Sequence, residues 1–184
     1  MRGKVNTQVE TDALLAIHAH SAPVLDTIFR FSDRIGTLLF FSGLVLGIIA
    51  WHLSRGERRE ARLWLFVGLS TVLLQEGIKL AVGRPRPQLW PHLVSVTAYA
   101  FPSGHALASA TLYPLLAWIV SRRSSAAGRW AAMAASILVA VFVGFGRLYL
   151  GVHWPSDVLA GWGLGAVQVV AAIRWLERSK ASSR

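Results

Sequence analysis

"RLWLFVGLSTVLLQEGIKLAVGRPRP" occupies residues 62–87, and its reading decides the fold. Apolar side chains dominate from Leu63 to Val82, about the 20 residues that a helix needs to cross the hydrocarbon of a bilayer. Gly83 and Pro85 then stop the helix. Arg84 and Arg86 follow in an extended Arg-Pro-Arg-Pro segment. The rest of the chain fits a membrane helix. It has 184 residues, 54% apolar and only 15% charged, where a soluble domain carries about a quarter. The net charge is +10. A basic chain can bind nucleic acid, but these Lys and Arg flank long apolar runs, so the expected partner is a membrane and not a nucleic acid. With no Cys, disulfides, thiol nucleophiles and Cys-ligated metals are excluded. Residues 1–12 are mostly polar without an apolar core, so no cleavable signal peptide is expected there.

Hydropathy predicts five spans, at 35–53, 62–82, 103–119, 130–147 and 156–176. Residues 11–34 mix Leu14, Leu15, Ile17, Val24, Leu25, Ile28 and Phe29 with Asp12, His18, His20, Asp26, Arg30 and Asp33. That pattern reads as an amphipathic helix pair on the membrane surface. The expected fold is all-α, a polytopic membrane helical bundle. About five transmembrane helices and an N-terminal interfacial helix form one domain over 1–184: a segment 1–34, a bundle 35–177 and a cytoplasmic tail 178–184. No internal repeat or low-complexity segment is evident.

Positive charge predicts the orientation. Arg55, Arg58, Arg59 and Arg62 follow the first span, Arg122, Arg123 and Arg129 the third, and Arg174, Arg178, Lys180 and Arg184 the last. All fall on one side, which is assigned to the cytoplasm. Trp51, Trp64, Trp118, Trp130 and Trp175 lie at the same ends, as an aromatic belt would. The N-terminus is then outside and the C-terminus inside, in a multi-pass protein of the inner (plasma) membrane with its chemistry facing the periplasm or outside.

Three stretches with reactive or charged side chains collect on that outer side. In the first, Lys79 ends the second span, followed by Arg84 and Arg86. A plain positive flank belongs on the other side, whereas Lys and Arg together make an anion clamp. In the second, Phe101 to Ala106, Ser103 is a good N-cap, Gly104 lets a ligand approach the backbone, and His105 follows in the first turn. Free amides at a helix start favour an anion, but taken alone Ser-Gly-His equally describes a capped helix. In the third, Arg147 ends the fourth span, His153 precedes the fifth, Pro155 suits its first turn and Asp157 follows. Asp157 could cap amides or accept the His153 ring N–H, freeing the other ring nitrogen to attack. A metal bound by His105, His153 and Asp157 would sit among the like charges of Lys79, Arg86 and Arg147. Phosphoryl transfer to a histidine fits that basic pocket better.

These residues carry a resemblance. Lys79, Arg86 and Pro87 fit K-x6-R-P, Pro102 to His105 fit P-S-G-H, and Arg147, His153 and Asp157 fit the end of S-R-x5-H-x3-D. The chain resembles the type-2 phosphatidic acid phosphatase (PAP2) family of integral-membrane lipid phosphatases. Two departures stand out: Gly146 replaces the Ser before the motif Arg, and the first of the six spans common in bacterial members is missing. The resemblance implies that His153 is the nucleophile, giving a phosphohistidine, and that Asp157 orients it. It implies that His105 protonates the leaving group and then activates water. Lys79, Arg86 and Arg147 would bind phosphate oxygens with Ser103 and the Gly104 amide, and no metal or organic cofactor is expected.

The implied substrate is a lipid phosphate from the bilayer: undecaprenyl pyrophosphate, phosphatidylglycerophosphate or phosphatidic acid, with polyprenyl pyrophosphate taken first although no pocket residue tells one tail from another. A phosphotransferase acting on lipid A would use the same residues. A non-enzymatic lipid-binding scaffold would be expected to have lost the nucleophile or the clamp. The apolar loop 88–100, with Trp90 and Leu93, is expected to border a lateral lipid entrance. His18, His20, His52 and His92 are read as interfacial or solvated. Glu76, one turn before Lys79, pairs with it or tunes the clamp. Nothing in the sequence speaks to oligomeric state.

Overall fold

A computed structural model describes residues 2–96, 99–122 and 124–181. Arg123 and residues 182–184, assigned above to the cytoplasmic side, lie outside the described residues, as do Thr97 and Ala98 of the expected entrance loop. The described residues form seven helices: α1 (Arg2–His18), α2 (Pro23–Gly36), α3 (Leu38–Ser54), α4 (Arg58–Val82), α5 (Gly104–Ser121), α6 (Ala126–Tyr149) and α7 (Pro155–Ala181). No strand occurs among the described residues.

The helices end where local chemistry dictates. Gly83, in the left-handed region at φ 60°, closes α4, its N–H bonding to the Lys79 carbonyl. Ser125 caps α6 by accepting the Gly128 N–H. Pro155 opens α7, and Asp157 accepts the Trp154 N–H at 2.8 Å, the reciprocal half of a capping box. Ser103 stands at the N-cap position of α5, but its hydroxyl makes no capping bond, contrary to expectation.

Among the described residues three helices, α4, α6 and 155–178 of α7, are long and apolar enough to cross a membrane. The pair α2–α3, bent by 46° at the break, would be a fourth if taken as one span. The helix at the third expected span, α5, has 18 residues that include His105, Ser109, Thr111 and Pro114 and is not among those that length and composition alone mark as apolar enough. This helix packs most extensively on α6 and α7 and buries Ala106, Leu107, Ala108, Ser109, Ala110, Thr111 and Leu112. A helix enclosed by protein needs little lipid-facing apolar surface.

Small residues allow α5 and α7 to approach closely. A Cβ at Gly161 would come within 2.6 Å of the Ser103 carbonyl, and one at Gly165 within 2.7 Å of Ala110 Cβ. The Ser103 N–H donates to the Asp157 carbonyl at 2.9 Å, joining the starts of the two helices. The main core lies further along, where Phe41, Val45, Leu63, Trp64, Val67, Leu112, Leu115 and Leu176 pack. Trp64 is fully buried there, so it is a core residue and not part of an aromatic belt. Trp51, Trp118 and Trp175 lie under the guanidinium groups of Arg55, Arg122 and Arg59. His52, read as interfacial or solvated, is buried and pairs with Glu57 at 2.7 Å.

The N-terminal helices also depart from expectation. They do not simply lie on the surface but dock onto the bundle. Leu14 of α1 is fully buried with Ala100 and Trp154, and Phe29 of α2 packs on Tyr149, Leu150 and Val152. Trp90 stacks on His18 at 3.9 Å and fills the space a Cβ at Gly151 would occupy. That half of the 88–100 loop is therefore a packed cover, its indole anchored to α1 and to the turn between α6 and α7.

Candidate active site

The three motif stretches converge at one end of the bundle, because antiparallel succession puts the end of α4, the start of α5, the end of α6 and the start of α7 together. A cavity of about 220 Å³ lies there, lined by Lys79, Arg86, Gly104, His105, Arg147 and His153, with Leu38, Gln75, Glu76, Ser95 and Val96. Of the eight sequence-predicted site residues, six line this cavity. Ser103 and Asp157 sit behind it, each fully buried.

The His153 tautomer follows from its neighbours. Arg86 Nη1 lies 3.0 Å from His153 Nε2. Guanidinium only donates, so Nε2 must present its lone pair and the ring proton belongs on Nδ1. Nδ1 faces Asp157 Oδ2 at 3.5 Å, longer than a normal hydrogen bond. Asp157 therefore caps Trp154 and faces His153, but the expected hydrogen bond from the ring is not made: among the described residues His153 Nδ1 has no hydrogen-bond partner. Burial, with the cations of Arg147 and Arg86 and the ring of His105, holds the His153 pKa well below 6.5. A neutral imidazole with its lone pair directed toward a cluster of cations can act as a nucleophile at neutral pH.

Behind Asp157 stands a network no sequence argument found. Arg84 donates to Asp157 Oδ1 at 2.6 Å, to Ser156 Oγ at 2.6 Å and to Glu10 Oε2 at 2.5 Å. Glu10, on α1, also accepts from the Ser156 N–H at 2.9 Å and its hydroxyl at 2.5 Å. Burial raises the Glu10 pKa, but the Ser156 and Arg84 bonds outweigh it and hold the carboxyl below its ordinary value. Arg84 thus braces the Asp157 carboxylate that faces His153 and does not line the cavity.

A second unanticipated carboxylate, Asp33 of α2, accepts from Arg147 Nη1 and lies 3.1 Å from His105 Nε2. Arg147 is buried and its Nε has no hydrogen-bond partner among the described residues, which leaves it a donor for an anion. The Ser103 hydroxyl is likewise buried without a partner. Lys79 pairs with Glu76 at 3.1 Å, the i,i+3 contact the spacing allowed.

Two glycines have reasons the sequence did not reveal. A Cβ at Gly104 would overlap the Gln75 amide, so helix–helix packing against α4 demands glycine there as well as ligand access. A Cβ at Gly146 would overlap Ser32 Oγ. The hydroxyl missing from the S-R motif is thus matched by a hydroxyl that α2 inserts at the same point.

Comparison with known proteins gives the family. The family model described as "PAP2 superfamily" matches residues 60–181. The chain belongs to the PAP2 superfamily. It is 32% identical over 145 residues to phosphatidylglycerophosphatase B of Bacillus subtilis, covering 78% of this chain and 71% of that one. It is 33% identical over 146 residues to undecaprenyl-diphosphatase of Sulfolobus acidocaldarius, covering 76% of this chain and 54% of the relative. The crystal structure of a transmembrane PAP2 type phosphatidylglycerolphosphate phosphatase from Bacillus subtilis superposes with a TM-score of 0.85 at 26% identity, over 94% of this chain and 86% of that one. The PAP2 assignment and the all-helical membrane fold therefore stand, and with them membership in a family of lipid phosphatases.

Proposed function

We propose that this chain removes the terminal phosphate of a membrane lipid in two steps through a phosphohistidine on His153. The observation that carries the reading is the Arg86–His153 contact, which requires a bare Nε2 on a buried, neutral ring at the cavity. In the first step Nε2 bonds to phosphorus as the lipid oxygen leaves with a proton from His105. In the second, water attacks phosphorus as His105 takes its proton, and the bond to His153 breaks. Lys79, Arg86 and Arg147 surround the negative charge that spreads over the phosphoryl oxygens, the main catalytic demand of phosphoryl transfer. With cations supplied by side chains, the reaction is read as metal-independent.

The substrate class is a lipid carrying a terminal phosphate or pyrophosphate. Phosphatidylglycerophosphate is the first candidate, because the relative named for it matches over most of both chains, and undecaprenyl pyrophosphate is the second. The site-bearing end is read as facing the periplasm or outside, supported by Arg55, Arg58, Arg59 and Arg62 clustering at the opposite end. Phosphate release by the purified chain in detergent tests the reading, with both lipids and phosphatidic acid, in excess chelator, for wild type and His153→Ala. Release that survives chelator and is lost in the variant is expected. Release from His153→Ala at the wild-type rate, or its abolition by chelator, would sink the mechanism.

A further inference from the structure

His105 Nε2 has two neighbours, and both can only accept. Asp33 Oδ1 lies at 3.1 Å and the Asp33 backbone carbonyl at 3.1 Å. Nε2 must therefore carry a proton, and Nδ1 is the nitrogen left to exchange a proton with substrate or water. This is the reverse of His153, whose Nε2 must be bare. The two imidazoles of the cavity are thus held with opposite ring nitrogens committed. One turn after Asp33, Gly36 presses on the same ring: a Cβ there would lie 2.7 Å from His105 Cδ2. The end of α2 is therefore fitted to His105 by backbone, side chain and the absence of a side chain.

We propose that Asp33 is the positioning carboxylate of His105, orienting its ring and favouring the imidazolium that protonates the leaving group. This inference rests on the phosphatase reading above. Among the described residues Asp33 is the one carboxylate within ion-pair distance of His105. The other charged or titratable groups about the ring are Arg147 from α6, His153 from the turn before α7, Glu76 and Lys79 from α4, and Arg86 from the segment after it. Arg147, Lys79 and Arg86 oppose a charged His105, and Asp33 stands between His105 and Arg147, touching both. In the first step the His105 Nδ1 proton passes to the leaving oxygen as the P–O bond breaks and the His153 N–P bond forms, leaving His105 neutral. In the second step Nδ1 takes a proton from water as the new P–O bond forms and the N–P electrons return to His153. Asp33 keeps its charge and its bond to Nε2–H throughout.

The test compares two leaving groups in the full chain in detergent. Phosphatidylglycerophosphate leaves as an alkoxide that needs a proton, whereas p-nitrophenyl phosphate leaves as a stable phenolate. Asp33→Asn is expected to lower kcat on the lipid by roughly 10- to 100-fold but on the aryl phosphate by less than about threefold. The alkaline limb of the lipid pH profile should move down by about one unit or more, because the imidazolium loses its partner. Equal losses on both substrates, an unmoved limb, or unchanged activity overturn the proposal. If Asp33→Asn does not fold, Asp33→Glu carries the test: the lipid-to-aryl ratio should fall while the alkaline limb stays in place, and an unchanged ratio overturns it. Failure of the wild type to release phosphate from any lipid would instead strike the phosphatase reading itself.

Discussion

Gly146→Ser restores the serine that precedes the motif Arg in the relatives' pattern, yet the structure argues that it destabilises this chain. The new Cβ would overlap Ser32 Oγ and lie 3.2 Å from Phe29 Cδ1 and 3.4 Å from Ser32 Cβ. These neighbours belong to the fully buried face of α2, where Ser32 is already committed to the Phe29 carbonyl at 2.7 Å. Overpacking of this kind costs about 1–3 kcal/mol. Replacing a helical glycine returns only about 0.5 kcal/mol of helix propensity, so the steric term wins. At about 2–4 °C per kcal/mol for a chain of this size, the thermal midpoint in detergent should fall by roughly 2–10 °C. Activity should fall with it, because Arg147 is the next residue and Asp33 is next to Ser32. Ser32→Ala alone loses one local hydrogen bond, under about 1 kcal/mol. The double variant Ser32→Ala/Gly146→Ser should recover most of the midpoint, since the second hydroxyl then occupies the space of the first. A single variant melting at or above wild type, or a double variant no better than Gly146→Ser, would refute the complementarity of the two positions.

Two further outcomes are expected. The acid limb of the kcat/KM profile should lie below pH 6.5, because burial and the adjacent cations hold the His153 pKa beneath its ordinary 6.5 and the nucleophile must be neutral; a limb at or above pH 6.5 would contradict that assignment. Arg84→Met should slow phosphoenzyme formation, measured by rapid quench, by roughly 10- to 100-fold through misplacement of Asp157 and His153. Glu10→Gln, one contact further out, should cost less than about tenfold, and an order of effects reversed between the two would reject the bracing network.

The candidate site residues were legible because the proposed phosphoryl transfer calls for particular side chains at helix ends, and helix ends are marked in sequence. Gly83, Pro85 and Pro155 punctuate the chain, so Lys79, Arg86, His105, Arg147, His153 and Asp157 could all be assigned to one end of the bundle before any contact was known. Helix positions were equally legible, since the limits of α4, α6 and α7 follow from where apolar runs stop. Ser103 and Gly104 were legible as residue types, but not for the reasons that govern them. The Ser103 hydroxyl does not cap its helix, and Gly104 is also required by the Gln75 amide pressed against it.

Asp33, Glu10 and Ser32 were not legible as site residues. Asp33 and Ser32 sit in a segment whose mixed pattern satisfies a surface helix as well as a docked one, Glu10 sits in the mostly polar stretch before it, and the partners of Asp33, Glu10 and Ser32 are 114, 146 and 114 residues away in the chain respectively. A signal existed in retrospect: Asp33 and Gly36 stand one turn apart just before an apolar run, more specific than an interfacial helix needs. The sequence by itself determined the membrane class, the main helices and the residues that meet at one end of the bundle, because hydropathy and chemistry act through residue type and spacing. Only the tertiary structure decided that Asp33 faces His105 and which nitrogen of each ring is bare. Those depend on how close α2 comes to His105 and the segment after α4 comes to His153, which is set by side-chain packing between segments that the chain order leaves far apart.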